Sequence, residues 1–388
     1  MKLATRMSRL GTETAFAVLA RAKALEAQGR EIIHLEIGEP DFDTPRNIVD
    51  AAIQALRAGY THYTPAAGLP QLREAIAHYI AETRGIPIEP SQVVVTPGAK
   101  PIMFFAILAL CEKGDEVIYP NPGFPIYESM INFVGATPVP LPLREENDFR
   151  FDVDEFRSKI SPRTRMIILN SPHNPTGGVL EREDLEAIAE VVLANDIVVL
   201  SDEIYSRMVY EGEFLSIASL PGMQERTIIL DGFSKTYAMT GWRLGYGVMT
   251  EALAAQMTDL MVNSNSCTAA FTQMAGVEAL TGPQDEVDQM VAAFKERRDV
   301  IIEGLNAIPG FRCRTPRGAF YAFPNIEGTG MGCEALADFL LEEAGVAVLA
   351  GTSFGEHGEG FLRLSYANSV ENIKKALARI GEAVAKLS

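Results

Sequence analysis

The chain has 388 residues, 47% of them hydrophobic, which is enough to build a large core and two packed domains. Its 34 basic residues face 51 acidic ones, and the resulting net charge of -17 argues against nucleic acid or an anionic membrane as the main partner. Cys111, Cys267, Cys313 and Cys333 lack metal-site or disulfide spacing, and no apolar run forms a signal peptide or membrane span, so a metal-free, cytoplasmic protein is expected. Periodicity predicts a helix over 14–28 stopping at Gly29, then a short strand over 32–37. That strand runs into the turn-rich Gly38-Glu-Pro-Asp-Phe-Asp-Thr-Pro45, where Gly38 permits close backbone approach to a ligand. Helices over 46–58 and 70–83 follow, separated by the aromatic and polar loop 60–68 that contains Tyr63.

From Gln92 short β-branched runs alternate with helical stretches, the pattern of a doubly wound α/β domain. The runs cover 93–96, 116–119, 137–141, 165–170, 197–202, 227–230 and 244–248, and several are almost wholly apolar, as strands buried on both faces are. A long amphipathic helix over 286–308 leads into a smaller α+β unit with strands over 319–323, 346–349 and 361–365 and helices over 334–344 and 370–387. The expected organisation is an N-terminal segment, 1–45, that joins the small domain, a large domain over 46–285, and a small domain over 286–388.

Polar residues collect where the apolar runs end, and in open α/β sheets ligands bind beyond the carboxyl ends of the strands. Lys235 lies in the loop Asp231-Gly-Phe-Ser-Lys-Thr-Tyr-Ala-Met-Thr-Gly-Trp-Arg243. A lysine there can form a Schiff base with an aldehyde if its pKa is depressed, and Arg243 could supply the field. Ser234 and Arg243 suit a phosphate, and a phosphate beside an aldehyde describes pyridoxal phosphate. On this stretch alone a solvated loop lysine is an equal reading. In Pro97-Gly-Ala-Lys100, Gly98 and Ala99 precede a helical pattern and could cradle an anion, although an ordinary tight turn explains them as well. Lys100 there is a cation at a helix start, unfavourable for the dipole unless an anion is near. The dense prolines and glycines of Asn170-Ser-Pro-His-Asn-Pro-Thr-Gly-Gly178 fix a loop that holds Asn174, whose amide can donate to a phenolate. Asp202 could keep a ring nitrogen protonated and Tyr205 bond the ring hydroxyl, or Asp202 could cap a following helix. Arg363, flanked by leucines, needs an anionic partner, either a structural carboxylate or that of a substrate.

The set Tyr63-Thr-Pro-Ala-Ala-Gly68, Ser-Pro-His-Asn-Pro-Thr-Gly, Ser-Asp-Glu-Ile-Tyr, Ser-Lys-Thr-Tyr-Ala-Met-Thr-Gly-Trp-Arg and Arg-Leu-Ser-Tyr366 resembles the class I/II aminotransferases of the fold-type I pyridoxal phosphate enzymes, with bacterial aspartate aminotransferases most similar. The resemblance spans Gly38 to Tyr366 and implies a mixed, mostly parallel sheet in the large domain. It implies that Lys235 binds the cofactor and shuttles a proton, that Asp202 pairs with the pyridinium, and that Tyr205 and Asn174 donate to the ring hydroxyl. It places Gly98, Ala99, Ser234 and Arg243 around the phosphate, Phe124 on the ring, and Tyr63 of a second subunit on that phosphate, so that a homodimer shares its sites. Arg363 matches the arginine that grips the α-carboxylate, and Lys100 matches a lysine that helps recognise a second carboxylate. Those enzymes usually carry tryptophan at Phe124 and small hydroxyl residues near Phe16, so aspartate, alanine and aromatic donors all stay open, with 2-oxoglutarate the expected acceptor.

A carbon-sulfur β-lyase on the same scaffold is the alternative. A nicotinamide dehydrogenase is disfavoured because Gly328-Thr-Gly-Met-Gly332 has the wrong spacing and lies late in the chain, and a regulatory module would need a DNA-binding extension for which the chain has no spare length.

Overall fold

The computed structural model of the protein describes residues 1–387. Helix α1 (Thr14–Glu26), strand β1 (Ile33–His34), α2 (Arg46–Arg57) and α3 (Pro70–Arg84) open the chain. In α3, Pro70 sits in the first turn, where no amide partner is lost, and Gly85 stops the helix at a φ of 67°. Its buried stripe runs Leu72, Ile76, Ile80 and then Arg84.

The strands β2 (Val93–Thr96), β3 (Glu116–Asn121), β4 (Thr137–Pro142), β5 (Thr164–Asn170), β6 (Val198–Asp202), β7 (Thr227–Gly232) and β8 (Gly245–Val248) form one sheet in the order β2-β8-β7-β6-β5-β3-β4. Strand β8 is antiparallel to both neighbours and every other pairing is parallel. Between the strands lie α4 (Lys100–Leu110), α5 (Ile126–Val134), α6 (Val153–Lys159) and α7 (Arg182–Asn195). Adjacent residues of one strand face different cores: Ile168 and Leu200 pack with α4 and α5, and Ile167 and Val199 with α7. Over 166–169 and 198–200 these strands are apolar without interruption because both faces are covered.

Helices α8 (Glu251–Ser264), α9 (Ala270–Thr281) and α10 (Asp285–Asn306) follow, then β9 (Tyr321–Ala322), α11 (Cys333–Phe339), β10 (Val346–Ala347), β11 (Leu349–Ala350), β12 (Leu362–Ser365) and α12 (Val370–Val384). Three sequence expectations are corrected here. The run 346–349 is two strands: β10 pairs in parallel with β1, while β11 pairs antiparallel with β12, the chain changing partners at buried Val348. The run 319–323 shrinks to β9 because Ala319 takes a φ of 57°, which breaks the extended backbone. The helix expected over 334–344 ends at Phe339 and continues as a π turn, Leu340–Ala344. The Leu35 amide donates to the Ala347 carbonyl at 3.0 Å and the Ser365 amide to the Leu35 carbonyl at 2.7 Å. That pairing delivers Gly38 to the ends of β6 and β7.

Candidate active site

Asn170 and Asp202 end β5 and β6 in register with each other, and the turn after β7 carries Ser234 and Lys235. These ends open into a cleft of about 570 Å³ whose lining includes Lys235, Asp202, Asn174, Arg243 and Arg363.

The Lys235 Nζ donates to the Gly38 carbonyl and lies 5.9 Å from the Phe320 ring centroid. Burial lowers its pKa to about 8; Glu39 opposes the shift and Arg363 adds to it. The influence assigned to Arg243 from sequence is thus corrected: desolvation dominates, and the main cation is Arg363. Gly38 has a second reason to lack a side chain, since a Cβ there would fall 2.2 Å from the Tyr321 hydroxyl.

Asp202 caps no helix. Its Oδ2 accepts from the Tyr127 hydroxyl at 2.6 Å and its Oδ1 from the Ile204 amide at 3.3 Å, and turns follow it. Burial raises its pKa to about 6 against those two hydrogen bonds. The Tyr205 hydroxyl shares a hydrogen bond of 2.7 Å with that of Tyr321, both side chains being buried. Asn170 ties the neighbouring loop: its Nδ2 donates to the Asp202 carbonyl at 3.1 Å, and its Oδ1 accepts from the Asn174 amide at 2.9 Å.

Arg363 donates through Nη1 to Asn174 Oδ1 at 3.2 Å and through Nη2 to the Glu36 carbonyl. Its guanidinium lies over the rings of Tyr321 and Phe354, 4.5 and 4.8 Å from their centroids. It is 4% exposed, pairs with no carboxylate among the described residues, and leaves Nε without a partner. A buried cation held only by neutral groups is costly unless an anion joins it.

At the other end, Gly98 adopts a φ of 85° and a Cβ on it would lie 2.2 Å from Arg243 Nη2. A Cβ on Gly245 would lie 2.3 Å from the Ala99 nitrogen. The two glycines let the start of α4 press onto β8 beside the guanidinium. Lys100, the first residue of α4, pairs with Glu13 and lies 5.2 Å from the Phe124 ring centroid. Tyr63 lies outside this cleft, 89% exposed.

The whole chain compares closely with known proteins. Residues 30–380 match the model of the family "Aminotransferase class I and II". The aspartate aminotransferase of Pyrococcus horikoshii is 45% identical over 91% of this chain and 91% of its own length. The chain belongs to the class I and II aminotransferases. The solved aspartate aminotransferase of Thermus thermophilus with maleate superposes with a TM-score of 0.95 at 38% identity, over 99% of this chain and 100% of that one. A solved aromatic aminotransferase of Pyrococcus horikoshii gives 0.90 at 40% identity, over 95% and 100%. The aminotransferase is therefore an α/β pyridoxal phosphate enzyme of fold type I.

Its residues fit that cofactor. Gly98, Ala99, Ser234 and Arg243 would hold the phosphate where the backbone is open, Asp202 would face the ring nitrogen, and Lys235 would bind the aldehyde carbon. Gly98→Ala in this aminotransferase is expected to raise the cofactor's dissociation constant about tenfold, by displacing Arg243 and straining a left-handed backbone. Equilibrium dialysis checks this, and affinity within twofold of wild type would sink it.

Sequence reasoning missed four residues that shape the site. Tyr127 and Tyr321 support Asp202 and Tyr205. Behind them, buried Arg84 donates to Glu203 at 2.9 Å and to Asp231 at 3.0 Å, the first next to Asp202 and the second near the end of β7, before Lys235. Arg84 was detectable as the charged fourth member of the stripe Leu72, Ile76, Ile80; nothing local flags Glu203 or the tyrosines.

Proposed function

We propose that this enzyme moves the amino group of an L-α-amino acid, with aspartate, alanine or an aromatic amino acid as donor, to 2-oxoglutarate in a ping-pong cycle. The observation that carries the reading is Arg363, a buried guanidinium without a carboxylate partner and with an unpaired Nε, where the α-carboxylate common to every donor and acceptor would bind. Bound pyridoxal phosphate supplies the electron sink for the charge left on the substrate α-carbon.

In this reading Asp202 would keep a proton on the ring nitrogen, and its double anchoring by Tyr127 and Ile204 holds the carboxylate in place. Tyr205 and Asn174 would donate to the ring hydroxyl, and Phe124 would cover the ring. Lys235 would hold the cofactor and, when freed by the amino acid, would carry the α-proton at Nζ, a task suited to an amine of pKa about 8.

The same reading makes the protein a cytosolic homodimer, in which Tyr63 of one subunit serves the partner's phosphate; its 89% exposure and the four free cysteines support this. It also divides the chain into a large domain over 46–285 and a small one over 286–388 joined by 1–45.

The test is a spectral titration of the holoenzyme with aspartate, alanine and phenylalanine. Stoichiometric bleaching of the cofactor band, reversed by 2-oxoglutarate, is expected; continuous turnover with amino acid alone would refute transamination. Arg363→Lys should raise KM for donor and acceptor alike by about 100-fold, through loss of the two-pronged carboxylate contact. An unchanged KM for either partner would remove Arg363 from that role.

A further inference from the structure

One cation of the cleft already has an anion. Lys100 Nζ is paired with Glu13, the residue that precedes α1, and the two side chains are 47% and 21% exposed. Glu13 lines the same cleft as Lys235 and Arg363, and its charge raises the pKa of both. Its segment is pinned to α5, where the Gly11 amide donates to Ser129 Oγ at 2.8 Å and Arg9 Nη2 to the Phe133 carbonyl at 3.1 Å. Glu13 thus supplies the anion that a lysine at the start of α4 calls for.

Two cations of the cleft, Arg363 and Lys100, differ in kind. Arg363 is buried, stacked and without a counter-ion, so it holds a fixed place for one carboxylate. Lys100 is half exposed, on a flexible stem, and neutralised by a carboxylate of the chain itself. An ion pair whose lysine is half exposed is weak, so a second carboxylate can replace Glu13 on Lys100 at little cost. A substrate with an uncharged side chain leaves the pair closed, and no unpaired charge faces that side chain.

We propose that Glu13 is a specificity-determining residue: an exchangeable counter-ion that neutralises Lys100 for substrates with uncharged side chains and gives way to the second carboxylate of dicarboxylic ones. This rests on the amino-acid reading above. It explains how a single cleft can take an alanine-like or aromatic donor and a dicarboxylic acceptor in alternate half-cycles.

The test uses two amino acids that bind but carry no α-proton, 2-methylaspartate and 2-methylalanine, titrated against the cofactor absorption of the holoenzyme. Glu13→Gln should improve the preference for 2-methylaspartate over 2-methylalanine about three- to five-fold, the size expected for a competing exposed ion pair. Lys100→Met should weaken 2-methylaspartate selectively, and in that background Glu13→Gln should no longer change the preference. A preference unaltered by Glu13→Gln, or shifted equally with and without Lys100, overturns the proposal while leaving the transaminase reading in place. If neither compound perturbs the wild-type spectrum, the amino-acid reading falls and this proposal falls with it.

Discussion

Lys235→Ala is expected to abolish the covalent hold on the cofactor and to lower kcat by at least about 10⁴-fold, the upper range for removing a positioned proton-transfer group. The reason lies in where the amine sits. Burial beside Phe320 in the turn after β7 penalises the ammonium, bringing its pKa from 10.5 to about 8. About half of the amine is then neutral at pH 8, whereas an ordinary lysine is almost wholly charged there. Cofactor uptake by the wild-type apoenzyme should therefore accelerate from pH 6 through pH 8, where it reaches about half its plateau, and level off above about pH 9. Stopped-flow absorbance of wild type and variant checks both statements. More than 1% residual transamination in the alanine variant, or uptake indifferent to pH over that range, would remove Lys235 from its role.

Arg84→Met is expected to cost about 3–5 kcal/mol of stability, because it strands two buried carboxylates around one missing cation. Glu203 keeps its bonds from Ser201 and Ser216, and Asp231 keeps the Gly232 amide on Oδ1 and a hydrogen bond from Tyr246, so both carboxylates lose their one cation. Burial raises the Asp231 pKa from 3.8 to about 7, and Arg84 pulls it back. A carboxyl raised in the folded state favours folding fully below its unfolded pKa near 3.8, and that contribution is lost as pH rises through about 7. Without Arg84 the carboxyl rises further, so the variant's deficit should be smaller at pH 6 than at pH 8. Urea unfolding of wild type and variant at the two pH values measures this; a deficit below about 1 kcal/mol, or one larger at pH 6, would contradict it. Activity should fall as well, since Glu203 adjoins Asp202 and Asp231 stands four residues before Lys235.

Much of the scaffold and of the site was legible in the sequence. The central strands of the large sheet are short apolar, largely β-branched runs because they are covered on both faces, and that demand shows throughout Val93–Thr96 and over 166–169. Polar residues punctuate the runs where strands emerge from the sheet, so Asn170, Asp202 and the Ser234-Lys235 turn stood out before any contact was known. The tight glycines follow the same logic, since a backbone that must touch a guanidinium or another strand excludes a Cβ.

The choice of partner belonged to the tertiary structure. Lys235 rests on Gly38, 197 residues away; Arg363 on Asn174, 189 away; and Arg84 on Asp231, 147 away. Residues 346–349 read as one strand, yet their hydrogen bonds go to β1 and then to β12. Local pattern reports how a residue meets its immediate neighbours and the solvent. Which buried charge finds which counter-ion is settled only when distant segments are packed together and the cost of an unpaired charge selects among them.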